Sequence, residues 1–576
     1  MNSRMKITEC RTEHSCQSNP SREWKLRSAQ TVTITIQRKQ GDRQVVCRKG
    51  QSLMEALIEN GIFLPAICAA RGSCGKCRIQ ILTGEMAVSK EDESFFSETE
   101  LTAGYRLSCR AYPDTDCTIA LKQESEEGFA VLEEYGTANG HQKAKKDGTI
   151  VASQVAPGNQ KRKLGIAIDL GTTTIVMQLI DRQNREIMGT VTMMNKQRSY
   201  GADVISRIER SNQGRRQELQ ACICQTLQEG LADWMQDQDL REQMEQIVIA
   251  GNTTMIHLLM GYSCESLGTF PFKPVRLDSI QILYHELFKG EECRIPVTIL
   301  PGISAFVGGD ITAGLYSCGF AGKAGVSVLI DLGTNGEMAI GGRERIIVTS
   351  TAAGPAFEGG NISCGTGSIP GAICHVRIEE GGKGGSRAVL QTIGDRSPVG
   401  ICGTGVIETV SELVRTGLVD ETGLLNEEYF ETGYLLAEGA EDRILFTQKD
   451  IRELQLAKAA IRVGLEVLIK AGETSCEEIR NVYLAGGFGY KLDIRKAVEI
   501  GLLPAKLENK VTAVGNSALS GAVKYLCESD GAEQMAYLIS HAREIKLSNA
   551  PDFNEIYLQE MSLKKDKKEV EIERYG

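Results

Sequence analysis

Four cysteines have the spacing best able to do chemistry: Cys68, Cys74 and Cys77 in CAARGSCGKC and Cys109 in RLSCRAY, a C-x5-C-x2-C-x31-C pattern. A zinc ribbon requires two C-x2-C knuckles, and this segment has one. Three thiolates on one glycine-bearing loop with a distant fourth instead match the plant-type 2Fe-2S arrangement, whose usual first gap is four residues. Gly72 and Gly75 let the backbone wrap inorganic sulfide and aim N–H donors at it, which stabilises the reduced, more negative cluster. A second chemistry is written twice further along, in LGIAIDLGTTTIVMQLID (164–181) and VSVLIDLGTNGEMAIGG (326–342). Each is an apolar strand, a D-L-G-T turn and a second strand. The carboxylate of Asp169 or Asp331 then stands at a strand end, Gly171 or Gly333 turns without a Cβ, and the groups that follow face phosphate oxygens. No G-x-x-x-x-G-K-[ST] string occurs, which excludes a P-loop.

The cysteine loop needs a scaffold, and its flanks predict a ferredoxin-like β-grasp over 31–122. TVTITIQ (31–37) alternates with period two, SLMEALIENG (52–61) has helical spacing and a glycine stop, and KCRIQILTGE and DCTIALK read as closing strands. Met54, Leu57 and Ile58 are expected in its core. The segment resembles the adrenodoxin-like branch of 2Fe-2S proteins, where the five-residue first gap also occurs. Cys47 and Cys117 fall on predicted strands and read as packing residues. The acidic run EDESFFSETE (91–100) reads as a solvated face, and Arg71, Lys76 and Arg78 as charges able to steer an acidic partner. Residues 1–30 are polar and expected to be disordered. Residues 123–163 read as a linker in which GFAVLEEYG is able to pack locally.

From Leu164 the chain repeats itself. QIVIAGNTTMIHLLMG (246–261) is matched by NVYLAGGFGYKLDI (481–494), and FVGGDITAGLYSCG (306–319) by AVGNSALSGAVKYLC (513–527), a small-residue helix opening on Gly-Asp or Gly-Asn. Three paired features in one order mean two copies of an α/β subdomain, 164–320 and 321–562, followed by a charged tail at 563–576. This order resembles the actin-like (ribonuclease H-like) ATPase superfamily, which includes sugar kinases, acetate kinase and the heat-shock chaperone ATPases. The resemblance implies that Asp169 and Asp331 hold hydrated Mg2+ and that Gly171, Thr172, Thr173, Thr174, Gly333, Thr334 and Asn335 contact the phosphates of ATP. It also implies that Gly486, Gly487 and Gly489 leave room for adenosine, and that Asp331 or Glu337 orients the attacking water. His257, on a helix read as amphipathic, and His375 have no ligand-spaced partner and are expected to be satisfied core or surface histidines.

A 2Fe-2S domain joined to an actin-like ATPase resembles the reductive activators of corrinoid proteins. The likeness runs from about 31 to 562 and includes NKQRSYGADVISRI (195–208), STAAGPAFEGGNI (350–362) and GICGTGVIETVSEL (400–413). It implies ATP-dependent reduction of cobalt(II) to cobalt(I) on a corrinoid protein of a methyltransferase system, with an upstream low-potential electron donor and a homodimer. Some members carry a C-terminal pair of 4Fe-4S clusters, but the tail here has no cysteine. The rivals are an activator of another low-potential metalloenzyme, such as a radical dehydratase, a redox-sensing small-molecule kinase, and an inert scaffold. A dehydratase activator would place a 4Fe-4S cluster on cysteines inside the ATPase fold, where Cys364 and Cys402 stand alone and read as packing.

Composition agrees. The 576 residues carry a net charge of −10, which argues against coating nucleic acid or anionic lipid. There is no signal-peptide pattern in the first thirty residues and no apolar run of about 18 residues to span a membrane. A cytoplasmic setting with reduced thiols is therefore expected. The other twelve of the eighteen cysteines then need no partner.

Overall fold

The computed structural model describes residues 31–37, 41–60, 62, 64, 72, 75, 77–121, 162–288, 293–380, 386–438, 443–486 and 492–564. The expectations for 1–30, GFAVLEEYG and nearly all of the linker, Arg71, Lys76 and the tail from 565 lie outside them. The chain divides into two compact units.

The first unit is built on a five-stranded sheet in the order β2-β1-β5-β3-β4. The strands are β1 (Thr31–Gln37), β2 (Arg43–Arg48), β3 (Arg78–Thr83), β4 (Tyr105–Leu107) and β5 (Cys117–Leu121). β1 pairs antiparallel with β2 and parallel with β5, the β-grasp crossover. Period-two alternation in β1 sends Val32, Ile34 and Ile36 inward. Helix Leu53–Glu59, capped by the Ser52 side chain, buries Leu53, Met54, Ala56 and Leu57. Ile58, expected in the core, is half-buried. Cys47 and Cys117 are buried on β2 and β5, and burial pushes each thiol up to about 11, which makes them unreactive fillers.

The acidic run is more than a solvated face. Asp92 is fully buried; its carboxylate accepts from Ser89 N (2.8 Å) and Ser89 Oγ (2.7 Å) in a capping box and from Leu107 N (2.8 Å) on β4. This acid anchors the strand that leads to Cys109. Arg78 lies with its guanidinium 5.1 Å from the Phe96 ring centroid.

The second unit carries the duplication as topology. Its first sheet has the order β10-β11-β9-β6-β7-β8, from β6 (Leu164–Leu170), β7 (Thr174–Asp181), β8 (Glu186–Met194), β9 (Met244–Gly251), β10 (Ile280–Leu283) and β11 (Pro296–Ile299). The other copy begins with β12 (Val326–Leu332), β13 (Gly336–Gly341) and β14 (Ile346–Thr351). An inserted layer follows, comprising β15 (Ala372–Glu380), β16 (Ser386–Thr392), β17 (Gly400–Ile401) and the hairpin β18 (Tyr434–Glu438) and β19 (Arg443–Phe446). The sheet resumes with β20 (Ile479–Ala485), β21 (Val511–Gly515) and β22 (Ala542–Glu544), in the order β21-β20-β12-β13-β14-β22. The runs β11-β9-β6-β7-β8 and β21-β20-β12-β13-β14 match strand for strand, each an antiparallel meander followed by two parallel additions. β6 and β12 are buried along nearly their whole length, which explains their continuous apolar sequence.

Helices Gly309–Ser317 and Ser517–Cys527 pack on each other, and the second also lies against β6 and β9 of the opposite copy. Their crossing is close: a Cβ on Gly521 would stand 2.1 Å from Ala313 O, and one on Gly314 2.8 Å from Ser517 Oγ. Small residues in both motifs are what let the halves interlock. Helix Thr253–Met260, expected to be amphipathic, is buried on every face from Thr253 to Leu259. His257 inside it is 2.7 Å from Thr253 O through Nδ1 and accepts the Val275 N–H at Nε2 (2.9 Å), so burial holds its pKa below the ordinary value and the ring neutral.

A buried ionic network ties the inserted layer to the unit. Helix Gly403–Arg415 sets Glu408 and Glu412 against β15, where they accept from the Val376 (3.1 Å) and Ile378 (2.8 Å) N–H groups. Lys496, on helix Ile494–Glu499, donates to Glu408 (2.9 Å) and Val376 O (2.6 Å), while His375 Nδ1 lies 2.8 Å from the other Glu408 oxygen. Glu408 is 2% and Lys496 16% exposed. Lys496→Met is expected to remove about 3 kcal/mol of stability, because it strands a buried carboxylate. Denaturant unfolding of the purified protein measures this, and a loss under about 1 kcal/mol would mean that solvent already screens the pair.

Candidate functional site

Both D-L-G-T turns lie at strand ends, as their sequences require. In the first, Leu170 pairs with Ile175 with four residues, Gly171 to Thr174, between them; in the second, Leu332 pairs with Gly336 with three, Gly333 to Asn335, between them. The copies thus differ by one residue. A Cβ on Gly171 would lie 2.3 Å from Thr174 O, whereas one on Gly333 would make ordinary contact with Asn335 O at 3.4 Å. The first glycine is therefore dictated by the turn itself.

The first hairpin is held from behind. Asn195 Nδ2 donates to Gly171 O (2.9 Å), Asn252 Nδ2 to Thr172 Oγ1 (2.9 Å), and the fully buried Arg207 to Thr172 O (2.6 Å) and Gly201 O (2.8 Å). The second hairpin meets Gly486, which has φ 121° and whose Cβ would fall 2.3 Å from Leu332 O, so only glycine passes there. Gly487 and Gly489 lie outside the described residues.

Four half-buried carboxylates converge between the hairpins: Asp169 and Asp331 at the strand ends, Glu337 directly opposite Asp331 on β13, and Asp310 in the first turn of helix Gly309–Ser317. Burial raises Asp169 to about 7 against a hydrogen bond from Asn516 Nδ2 (2.7 Å). Burial, then the charges of Asp310, Asp169 and Glu358, raise Asp331 to about 8. Burial raises Asp310 to about 6, and burial together with Asp310 and Asp331 lifts Glu337 well above the ordinary range. Carboxylates that oppose one another's ionisation make a hard-oxygen environment suited to a divalent cation. Among the described residues no three His, Cys, Asp or Glu side chains are placed to ligate a metal directly.

Glu358 closes the cleft. Its Oε2 accepts from Thr173 Oγ1 (3.1 Å) of the first hairpin and Thr334 Oγ1 (2.9 Å) of the second.

Cys77 immediately precedes β3 in sequence and Cys109 follows β4, and both are buried. Cys68 and Cys74 lie outside the described residues. Gly72 (φ 81°) and Gly75 (φ 66°) adopt the left-handed backbone that a tight sulfur-wrapping loop needs. These residues suit a 2Fe-2S cluster. Cys402 donates to Ile373 O (3.3 Å) in a small apolar cluster with Ala372 and Cys374, and Cys364 packs against the main core. Both sit as packing residues, and burial raises the Cys402 thiol.

Comparison with known proteins bears on the domains that carry these residues. Residues 34–114 match the model of the 2Fe-2S iron-sulfur cluster binding domain, 164–323 the RACo middle region, and 325–573 the C-terminal domain of RACo, the ASKHA domain. The chain is 33% identical to the corrinoid activation enzyme RamQ of Eubacterium limosum over 435 residues, 70% of this chain and 71% of that one. The chain belongs to the family of corrinoid reductive activators. It is also 28% identical to the [Co(II) methylated amine-specific corrinoid protein] reductase of Methanosarcina barkeri, over 69% of this chain and 76% of that protein. A solved structure of a reductive activator for corrinoid, iron-sulfur protein superposes with TM-score 0.66 at 28% identity, covering 92% of this chain and 98% of that one. The β-grasp 2Fe-2S domain and duplicated actin-like ATPase architecture are therefore those of the family.

Several cleft residues were not singled out from sequence. Asp310 and Asn516 occupy equivalent places, the Gly-Asp and Gly-Asn that open the paired helices, so their signal was present in the repeat. Asn195, Arg207 and Glu358 lie in segments that carried the family resemblance, but nothing local in those strings points to the hairpins they reach.

Proposed function

We propose that this chain uses ATP to drive one electron onto the cobalt(II) of a corrinoid protein, regenerating cobalt(I) in a methyltransferase system. The observation that carries this reading is the union, in one chain, of an iron-sulfur β-grasp with a cleft whose two walls are duplicate D-L-G-T hairpins. Cys68, Cys74, Cys77 and Cys109 would hold the 2Fe-2S cluster, which when bound supplies a one-electron store. The hairpin groups of Gly171, Thr172, Thr173, Thr174, Gly333, Thr334 and Asn335 would receive the phosphates. Gly486, Gly487 and Gly489 would leave space for adenosine, and Asp169 and Asp331 would orient the water shell of Mg2+.

ATP is needed for an energetic reason. If the donor lies on the order of 0.3 V above the cobalt(II)/cobalt(I) couple, an electron must climb roughly 7 kcal/mol. Coupling between binding sites, typically about 1 to 3 kcal/mol, does not cover it. A cleft that closes on ATP and opens on ADP adds a second source of work. Its walls belong to two copies joined through crossing helices, so closure at the hairpins becomes relative motion of the halves. An upstream low-potential donor, a cytoplasmic setting and a homodimer complete the proposal. Among the described residues no helix is long and apolar enough to cross a membrane.

The test mixes the purified protein, a low-potential reductant and candidate cobalt(II) corrinoid proteins, and follows the cobalt(I) spectrum with and without ATP. ATP-dependent growth of that spectrum supports the reading. Its absence with every partner returns the chain to the rival kinase or metalloenzyme activator.

A further inference from the structure

Two threonine hydroxyls from opposite walls of the cleft meet on one oxygen. Thr173 and Thr334 occupy the paired D-L-G-T turns, and both donate to Glu358 Oε2. On the ATP reading, which this inference deepens, these hydroxyls serve phosphate oxygens. A carboxylate oxygen of the chain therefore stands where a phosphate oxygen is to be received. The glycine of the second turn agrees: a Cβ built on Gly333 lies 3.5 Å from Glu358 Oε1, so the carboxylate rests against that turn.

The segment presenting Glu358 is rigidly made. A 3-10 turn, Pro355–Glu358, lies between Gly354 (φ 79°) and Gly359 (φ 74°), positions that resist any side chain. The Gly354 N–H donates to Thr334 O (2.9 Å), which ties the turn to the second hairpin. Phe357 is fully buried beside it, and the backbone passes so close to helix Gly403–Arg415 that a Cβ on Gly403 would lie 1.7 Å from Phe357 O. The other cleft carboxylates do not bridge the hairpins: Asp169 is engaged by Asn516, and Asp331 and Glu337 face each other across a strand pair.

We propose that Glu358 is the proton acceptor for the water that attacks the terminal phosphate of ATP. The phosphate oxygens take the two threonine hydroxyls, being the more highly charged acceptors. Repulsion between the anions turns the Glu358 side chain aside, while its fixed backbone keeps the carboxylate beside the phosphate it has yielded to. The water oxygen forms a bond to the terminal phosphorus as the bond to the bridging oxygen breaks. ADP leaves with that electron pair, and the water's proton passes to Glu358 and from there to the released phosphate or solvent. An acceptor within reach of the water contributes about 10²- to 10⁴-fold.

The experiment compares the full-length wild type with Glu358→Gln and Glu358→Asp, measuring ATP affinity by calorimetry and hydrolysis in a single turnover. Glu358→Gln is expected to bind ATP as tightly as wild type or several-fold tighter, since a competing anion is gone, and to hydrolyse it about 100-fold more slowly or worse. Glu358→Asp is expected to recover part of the rate. Hydrolysis by Glu358→Gln within about threefold of wild type overturns the assignment. So does joint loss of binding and hydrolysis in both variants, which would make the residue a structural brace. Failure of the wild type itself to bind ATP would instead strike at the reading of the cleft, and the calorimetry of the unmutated protein reports that separately.

Discussion

Asp331→Asn lowers ATP-driven cobalt(II) reduction on the order of 10³-fold while leaving the visible spectrum of the iron-sulfur unit at its wild-type intensity; that is the expected result. Asp331 lies at the end of β12 beside the second hairpin and faces Glu337 across the strand pair, where on the proposed reading its carboxylate would orient the ion's water shell. Asparagine keeps the shape and removes the charge. The spectrum is untouched because the cysteines belong to a different part of the chain. A variant that reactivates the corrinoid protein at the wild-type rate would separate the cleft from the electron transfer and sink the coupling.

The same substitution carries a stability signature. Burial, then the charges of Asp310, Asp169 and Glu358, raise the folded-state pKa of Asp331 from 3.8 to about 8. The folded protein therefore binds the more protons between those values, and stability falls as pH rises. Asp331's favourable contribution is fully present below about 3.8 and lost as pH passes through about 8. Asparagine does not titrate. Asp331→Asn is thus expected to melt at or above the wild-type temperature at pH 7.5, with a flatter decline from pH 6 to 8.5. Activity loss accompanied by a lower melting point would indicate simple unfolding.

Cys74→Ala is expected to give the reverse phenotype. Removing one of four thiolates abolishes the cluster's visible absorption and all electron delivery, yet ATP binding and hydrolysis persist. Cys77→Ala should behave alike, since each cysteine would supply one of the four thiolates and none substitutes for another. Iron analysis, visible spectra and an ATPase assay on the same preparation decide it. Two irons per chain in the wild type and none in the variants fits the proposal. Four irons per dimer surviving in the Cys74→Ala protein would point instead to ligands elsewhere.

Much of the architecture was legible because it is encoded locally. Alternation in TVTITIQ, the helical spacing of SLMEALIENG, and apolar runs ending in D-L-G-T each report the conformation of their own neighbourhood. Patterns failed where burial came from distant chain. EDESFFSETE looked solvated, yet Asp92 turns inward because Leu107, fifteen residues on, needs an acceptor for its N–H. The helix around His257 looked amphipathic, but neighbouring elements cover all its faces and hide the side that periodicity assigned to water.

The sequence alone determined the ferredoxin-like scaffold, the four-cysteine pattern and the duplication, since each rests on the order and spacing of residues within a few turns or strands. Only the tertiary structure decided which groups meet in the cleft. Thr173 and Glu358 are 185 positions apart, and Asp169 and Asn516 are 347 apart. Such contacts depend on how closely two helices cross, which Gly314 and Gly521 permit by lacking a side chain. That spacing is a property of packed surfaces, and no local pattern of residues carries it.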